Sequence, residues 1–333
     1  MSSEHLTPTL RERARGSMAG LAIGDAIGRP VEGLSAAEIQ AKHGRVTGYL
    51  QWPPAGSDDT EYALLTAKTL LRVGPGATRD DFAHSWVEDV LPQADNFAGG
   101  GFSEMAAIDN LRRGIRPPLS GDHIHSWSDG LAMRVAPLGI VSPGDIAAAA
   151  RLATEDGTVS HSGEGIVAGI AVAAAVAAAM GGADAEESFD AALSAIPADS
   201  WTARNLETGR RLVREIAEVD ELAVALHDAL AVADYYWADL APEAVGLALS
   251  AVLAGKGDFV DSTLFAVNLG RDADTIAAMS GCVAGAISGV DAIPREWLEA
   301  LRPVEGSCIR SMAGIHPVDT ADQLIDLLEG SHS

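Results

Sequence analysis

Apolar residues along the chain recur mostly with the three- and four-residue spacing of helices that are buried on one side. Such segments, ended by glycine or proline, predict helices over most of the chain. The predicted helical segments are residues 11–28, 58–74, 78–91, 102–118, 143–157, 165–180, 184–196, 202–219, 220–230, 241–255, 258–270 and 268–289. Alternation of apolar and polar residues is almost absent, and residues 44–52 are the one weak strand candidate. The pattern therefore predicts an all-α fold.

Small residues are frequent in these segments, and they let helices approach one another closely. In the last predicted helix, Gly281, Gly285 and Gly289 recur at every fourth position, which favours a buried helix in a bundle. No Pro/Ser-rich linker, charge block or internal repeat divides the chain. We therefore predict a single domain over residues 1–333, in which residues 290–333 form a C-terminal helical extension packed on the rest.

The overall charge restricts the classes of partner. The 333 residues include 47 acidic and 23 basic side chains, a net charge of −24, which argues against nucleic-acid and membrane partners. The longest apolar stretch, residues 165–180, is too short and too rich in alanine to span a bilayer. The first residues lack the apolar core of a secretory signal, and two cysteines suggest neither disulfides nor zinc. These features predict a cytoplasmic protein.

Two predicted helices begin with clusters of oxygen-bearing side chains. The first cluster is Ser57, Asp58, Asp59 and Thr60, and the second is Asp272, Asp274 and Thr275. An ordinary helix N-cap needs only one such residue. Carboxylate and hydroxyl oxygens without nearby imidazoles suit Mg²⁺ or Mn²⁺ better than zinc. The spacing alone leaves two alternatives open: a two-metal site that orients a substrate and polarises water, or two solvated acidic caps.

Five segments resemble, in order, the motifs of the ADP-ribosylglycohydrolase family. They are GSMAGLAIGDAIGRPVEG at residues 16–33, SDDTEYAL at 57–64, SDGLAMRVAPLGI at 128–140, SHSGEGIVAGIAVAAA at 160–175 and VNLGRDADTIAAMSGCVAGAISG at 267–289. The family includes the enzyme that removes ADP-ribose from dinitrogenase reductase and the ADP-ribosyl-acceptor hydrolases. The motifs span residues 16–289, so the resemblance covers nearly the whole predicted domain.

The resemblance implies an orthogonal helical bundle with a dinuclear Mg²⁺ or Mn²⁺ centre at the base of a cleft. The metal ligands it implies are Ser57, Asp58, Asp59, Asp272, Asp274 and Thr275. Glu32 falls on the family's glutamate, which contacts the metal-bound water or acts as general base; a solvated loop acid is the alternative. Asp25 fits a structural cap. The expected catalytic residues are Glu32, Asp58, Asp59 and Asp274.

Substrate-binding residues are also implied by the resemblance. They are Ser126, Trp127, Ser128, Asp129 and Gly130 of a phosphate-binding loop, His161 and Ser162 at a helix start, Asp95 in a glycine-rich segment, and Arg271. Trp127 is expected to stack on the substrate or to lie at the cleft rim. His161 meets the ribose or its phosphates, or is simply hydrogen-bonded.

The sequence departs from the family pattern in the predicted cleft. Asp129 replaces the common asparagine and adds negative charge where a pyrophosphate would approach. Arg271 brings a cation to the cleft, or forms a salt bridge with an acid such as Glu32. Ala273 removes a hydroxyl group from the last motif. These departures leave the acceptor open.

Three functions follow from this sequence. The first is a metal-dependent hydrolase that cleaves the glycosidic bond at ribose C1 of an ADP-ribosylated protein side chain or small molecule. The second is an N-riboside or phosphoribosyl hydrolase that acts on a small metabolite. The third is a non-catalytic binding protein of the kind found among lens crystallins, which the retained oxygen ligands disfavour.

Overall fold

The computed structural model describes residues 7–96 and 99–330, without the side chains of residues 94–96. Its sixteen α-helices in this part of the chain are α1 (Leu10–Gly28), α2 (Ala36–His43), α3 (Asp58–Val73), α4 (Arg79–Ser85), α5 (Phe102–Arg112), α6 (Ala136–Ile140), α7 (Ile146–Gly157), α8 (Glu164–Met180), α9 (Ala185–Ser194), α10 (Trp201–Glu215), α11 (Val219–Leu230), α12 (Ala241–Ala254), α13 (Phe259–Leu269), α14 (Ala273–Ser288), α15 (Arg295–Ala300) and α16 (Pro317–Gly330). The predicted all-α fold is confirmed.

The weak strand candidate, residues 44–52, was wrong: this segment is irregular. The backbone N–H of Val46 donates to Asn268 Oδ1 over 2.9 Å, and the Val46 carbonyl accepts from Asn268 Nδ2 over 2.9 Å. A side-chain amide therefore satisfies this backbone in place of a second strand.

Helices α1 and α14 pack with their backbones in direct contact. A Cβ atom added to Gly20 would overlap the carbonyl oxygen of Gly281, and one added to Gly281 would overlap the carbonyl oxygen of Gly20. Only glycine permits this approach. The contact aligns the end of α1, which carries Asp25, with the start of α14, which carries Asp274.

The start of α3 is fixed to the same place by Asp25. This fully buried carboxylate accepts hydrogen bonds from the backbone N–H groups of Ser57 and Thr60, at 2.8 and 3.3 Å, and from the Thr60 hydroxyl. The end of α1 and the starts of α3 and α14 therefore meet at one point.

The described C-terminal residues pack back onto the first helices. Arg15 Nε lies 2.7 Å from Asp322 Oδ1 and joins α1 to α16. Buried Glu61 of α3 accepts hydrogen bonds from the backbone N–H groups of Ser307, Cys308 and Ile309. The segment before α16 is thereby held beside the start of α3.

The apolar helix α8 lies in the core, with its alanines almost entirely buried. Within the described residues, no helix has both the length and the apolar character needed to cross a bilayer.

Candidate metal centre and substrate cleft

A cavity of about 460 Å³ opens where α1, α3 and α14 meet. Eight carboxylates line it: Glu32, Asp58, Asp59, Glu104, Asp129, Asp239, Asp272 and Asp274. Among the described residues, Arg29 is the only basic side chain on its wall. Such a concentration of negative charge favours a cationic occupant.

Two sets of carboxylates converge closely enough to hold a metal ion. Oxygens of Asp25, Asp59 and Asp274 all lie within 4.8 Å of one another, as do oxygens of Glu32, Asp272 and Asp274. Asp274 belongs to both sets. The structure thus brings together acids from the first and last motifs, and it adds Asp25, which the sequence suggested only as a cap.

Unpartnered oxygens in these sets fit a cation. Asp59 Oδ1 and Asp274 Oδ1 are buried and have no hydrogen-bond partner among the described residues, a costly arrangement for a carboxylate. Burial and then the neighbouring carboxylates raise the pKa of both groups well above the usual range. The same causes raise the pKa of Asp58 to about 6. A divalent cation would supply the missing partner and reverse these shifts.

Hydroxyl groups from both helix starts bind one carboxylate. Ser57 Oγ donates to Asp59 Oδ2 over 2.9 Å, and Thr275 Oγ1 donates to the same oxygen over 3.4 Å. Ser57 also caps α3, whereas Asp272 at the N-cap of α14 makes no capping bond with its side chain. The aspartates of these motifs therefore have no role as ordinary side-chain caps.

Glu32 lies at the mouth of the cavity. It follows a 3₁₀ turn at Arg29–Val31 and is exposed to solvent. Loss of hydration around its carboxyl group raises its pKa. The positive charge of Arg29 lowers the pKa and offsets part of this rise. An exposed carboxyl beside Asp274 has access to both water and the buried cluster.

Glu104 and Asp239 were missed by the sequence analysis. Glu104 is fully buried in the first turn of α5, and desolvation raises its pKa to about 7. The backbone carbonyl of Asp239 accepts a hydrogen bond from Asp129 N–H over 3.1 Å, which ties two cavity segments together. The available signals were an acid three positions after a run of three glycines and an acid two positions after a run of three aromatic residues.

The predicted phosphate-binding loop lies against these acids. A Cβ atom on Gly130 would overlap the carboxyl group of Glu104, so the loop backbone contacts this acid directly. Asp129 is buried and its Oδ2 atom has no partner among the described residues. Ser128 Oγ lies 2.7 Å from Ser103 Oγ and 3.1 Å from His161 Nε2. The cavity is lined by Ser128, Asp129 and Gly130 of this loop. The acids around them give the loop strongly negative surroundings for a phosphate-binding role.

Other predicted substrate residues lie away from the cavity. Ser126 and His161 are buried and do not line it. Ser162 donates to the carbonyl of His123 beside an apolar groove that shares Trp127 and Tyr235 with the aromatic groove described below. The side chain of Asp95 is outside the described residues. Trp127 lines the neighbouring groove described below.

Arg271 forms a salt bridge, the second of its two expected roles, and does not line the acidic cavity. Its Nε atom lies 2.6 Å from Glu243 Oε1, and its Nη2 atom donates to the carbonyls of Val232 and Tyr235. A positive φ of 64° turns the residue toward α12. Its partner is a fully buried acid of that helix rather than Glu32. Arg271 thus anchors residues 231–240.

An aromatic groove of about 610 Å³ continues from the acidic cavity. The two share Gly100, Gly101, Ser128, Trp237 and Asp239. The other lining residues are Phe102, Met105, His125, Trp127 and Tyr235. The Trp127 and Tyr235 rings lie 5.5 Å apart, centre to centre, in a tilted contact. Flat apolar rings beside a polar cavity suit a ligand with one planar and one hydroxylated part.

The chain is similar to several known proteins over most of its length. The chain is 35% identical to an uncharacterized protein of Archaeoglobus fulgidus, over 89% of this chain and 93% of that protein. It is 29% identical to ADP-ribosylarginine hydrolase Tri1 of Pseudomonas putida, over 86% of this chain and 74% of the relative. It is also 26% identical to ADP-ribosyl-[dinitrogen reductase] glycohydrolase of Rhodospirillum rubrum, over 88% and 92% of the two chains.

A solved structure and a family profile lead to the same assignment. An ADP-ribosylglycohydrolase-related protein complex superposes with a TM-score of 0.65 and 26% identity, covering 96% of this chain and 99% of the other. The profile of the ADP-ribosylglycohydrolase family matches residues 6–331. The resemblance inferred from the sequence motifs is confirmed. The chain belongs to the ADP-ribosylglycohydrolase family and is an enzyme of the ADP-ribosyl glycohydrolase type.

Proposed function

We propose that the protein is a metal-dependent hydrolase that cleaves the glycosidic bond at ribose C1 of an ADP-ribosylated acceptor. The observation that carries the proposal is the convergence of unpartnered carboxylates from α1, α3 and α14 in a cavity that continues into an aromatic groove. The relatives' names support ADP-ribose as the group that is removed.

We infer that Asp59, Asp272 and Asp274, with Asp25 and Glu32, hold one or two Mg²⁺ or Mn²⁺ ions, with Ser57, Asp58 and Thr275 beside them. A bound divalent cation would polarise water and ribose oxygens. The described residues of the cavity wall offer carboxylate oxygens and hydroxyls but no imidazole, and this is the donor set that hard cations prefer.

The protein's own residues position the substrate and accept a proton. Glu32, exposed and next to Asp274, receives the proton of the attacking water. Asp129 and Asp239 accept hydrogen bonds from ribose hydroxyls. Trp127 and Trp237 provide flat surfaces for a planar base and exclude water from the sugar.

A small N-riboside is the second candidate substrate, and one observation favours it. Among the described residues, seven carboxylates besides Glu32 line the cavity and Arg29 alone opposes them, so a diphosphate deep in the cavity would be repelled wherever bound cations do not balance these charges. An uncharged riboside would not.

Hydrolysis of a defined substrate panel tests the proposal. The purified protein, with Mg²⁺ or with Mn²⁺, is incubated with ADP-ribosylarginine, ADP-ribosylserine and inosine, and the released sugar is measured. We expect release of ADP-ribose, loss of turnover after chelation and recovery on adding metal. The Asp58→Asn variant is the negative control: it should release no sugar from any of these substrates. Release from inosine alone would favour the second candidate, and no release at all would contradict both.

A further inference from the structure

Glu104 is a cavity acid that the proposed metal centre does not use. It lines the cavity, yet its side chain is shielded from bulk water, and neither carboxyl oxygen has a hydrogen-bond partner among the described residues. It belongs to neither set of converging carboxylates. An unpartnered carboxyl facing a substrate cavity is suited to contact the substrate itself.

A buried network behind the cavity determines which atoms face Glu104. Arg134 forms an ion pair with Asp156, and its Nη2 atom donates to Ser160 Oγ over 2.9 Å. Because arginine only donates, the Ser160 hydroxyl proton is available for His161 Nδ1, 2.8 Å away. The ring proton of neutral His161 is then on Nε2.

This Nε2 proton lies on the side of His161 that faces the cavity acid. Nε2 is 3.3 Å from Glu104 Oε1 and 3.1 Å from Ser128 Oγ. Burial and the charge of Arg134 lower the pKa of His161 well below its ordinary value, which keeps the ring neutral. Arg134 itself is 3.8 Å from Glu104 Oε1. Arg134 and His161 therefore approach the carboxyl group from behind the cavity, while the backbone of Gly130 contacts it from the cavity loop.

We propose that Glu104 is a catalytic acid that protonates the leaving atom as the bond to ribose C1 breaks, and that His161 is its positioning residue. This assignment rests on the proposed function. The C1–N or C1–O bond breaks, its electron pair stays on the leaving atom, and that atom takes the Glu104 proton. Water forms the new bond to C1 and gives a proton to Glu32. Proton transfer through solvent restores both carboxyl groups, so the net change consumes one water.

The surroundings of Glu104 suit this role. The charged and titratable groups around it are Arg134, His161, Asp58, Asp129, Asp239, Tyr62 and Cys308. Desolvation raises its pKa to about 7, despite the opposing effect of Arg134. A carboxylic acid with this pKa holds its proton near neutral pH, as a general acid must.

Leaving-group dependence tests the assignment. The Glu104→Gln variant is compared with the wild type on ADP-ribosylserine and on the 4-nitrophenyl glycoside of ADP-ribose. The serine alkoxide needs a proton to leave, whereas 4-nitrophenolate does not. We expect kcat/KM to fall about 100-fold or more on the serine substrate and less than about tenfold on the nitrophenyl substrate. If the wild type cleaves only small ribosides, inosine and 4-nitrophenyl riboside replace this pair.

Asp239→Asn is the matched control, because it removes a neighbouring carboxylate of the same cavity. Its losses should be similar on the two substrates. Equal losses on both substrates for Glu104→Gln would overturn the assignment of Glu104 as the catalytic acid and would leave the proposed function unaffected. Absence of wild-type turnover on every substrate would overturn the proposed function, and this assignment with it.

Two further measurements separate catalysis from folding. The wild-type kcat/KM on the serine substrate should decline above about pH 7, following the pKa of Glu104, with no such decline on the nitrophenyl substrate. His161→Gln keeps an N–H donor near the Nε2 position and should retain the leaving-group profile, whereas His161→Leu should lose activity mainly on the serine substrate. A pH profile shared by both substrates, or equal losses for His161→Leu, would contradict the proposal.

Discussion

At the scale of single residues, the cavity is an assembly of acids whose charges are not balanced by protein groups. Asp59, Asp274 and Glu104 are each almost completely buried, and each has an oxygen without a partner among the described residues. Such groups are costly for folding, and they remain only where a ligand or a reaction requires them.

Asp274→Asn should weaken metal binding more than any other single change in the centre, because Asp274 belongs to both converging sets. We expect the affinity for Mn²⁺, measured by titration calorimetry, to fall at least 100-fold and hydrolysis to be lost. Glu186→Gln, at an exposed position on α9, is the control and should bind as the wild type does. Unchanged Mn²⁺ affinity in Asp274→Asn would exclude this site.

Glu104→Gln should stabilise the fold at alkaline pH only. The folded-state pKa of Glu104, about 7, is above its ordinary value of 4.5, so the native state binds the extra proton between these values. The wild type therefore loses stability as pH rises through this range, by up to about 3 kcal/mol. Thermal melts should show a higher Tm for Glu104→Gln than for the wild type at pH 8.5. If the difference in Tm between Glu104→Gln and the wild type were the same at pH 5 and pH 8.5, the raised pKa of Glu104 would be contradicted.

At the scale of elements, two contacts determine where the site lies. The glycine contact between α1 and α14 aligns Asp25 with Asp274, and the Arg271–Glu243 ion pair holds residues 231–240, which carry the aromatic groove. Neither contact touches the proposed reacting atoms. Loss of either contact is therefore expected to impair function by displacing the residues of the cavity or of the aromatic groove.

Gly20→Ala should separate α1 from α14, because the new methyl group would overlap the carbonyl oxygen of Gly281. We expect a loss of at least about 2 kcal/mol in the free energy of unfolding, together with weaker Mn²⁺ binding. Gly76→Ala is a matched control, since a Cβ there meets no atom within 4 Å. Urea denaturation of the two variants measures the difference, and equal stabilities would show that the helices need no such approach.

Arg271→Met should destabilise the fold by about 3–5 kcal/mol, because Glu243 would remain buried without its partner. Arg271→Met combined with Glu243→Leu removes both charges and should recover part of this stability, although the Val232 N–H loses its acceptor, Glu243 Oε2. KM should stay raised in the double variant, since the carbonyls of Val232 and Tyr235 still lack their donor. A KM that returns to the wild-type value would show that the loop needs no anchor.

At the scale of the whole molecule, the sequence pattern was sufficient for the helical class and for the acids of the first and last motifs. Oxygen donors at helix starts are visible locally, but their spacing alone left two solvated caps as the alternative, and Asp59 and Asp274 were paired through the resemblance to the family. Glu104, Asp239 and the partner of Arg271 could not be predicted, because their proximity depends on how separate helices and loops pack. For His161 the motif left two roles open, contact with the substrate or a simple hydrogen bond, because a motif indicates a position in the chain but not which side of a cavity wall it occupies. The structure places its ring in a buried hydrogen-bond network.

Glu61 has a practical consequence for work with this protein. Because its carboxylate holds the backbone at residues 307–309, Ser307 and Cys308 reach the cavity wall from near the end of the chain. A fragment that stops after the last sequence motif, at residue 289, would therefore lack part of the cavity wall. Activity assays are meaningful only on protein that retains these residues, and a shortened clone that fails to turn over would say nothing about the chemistry.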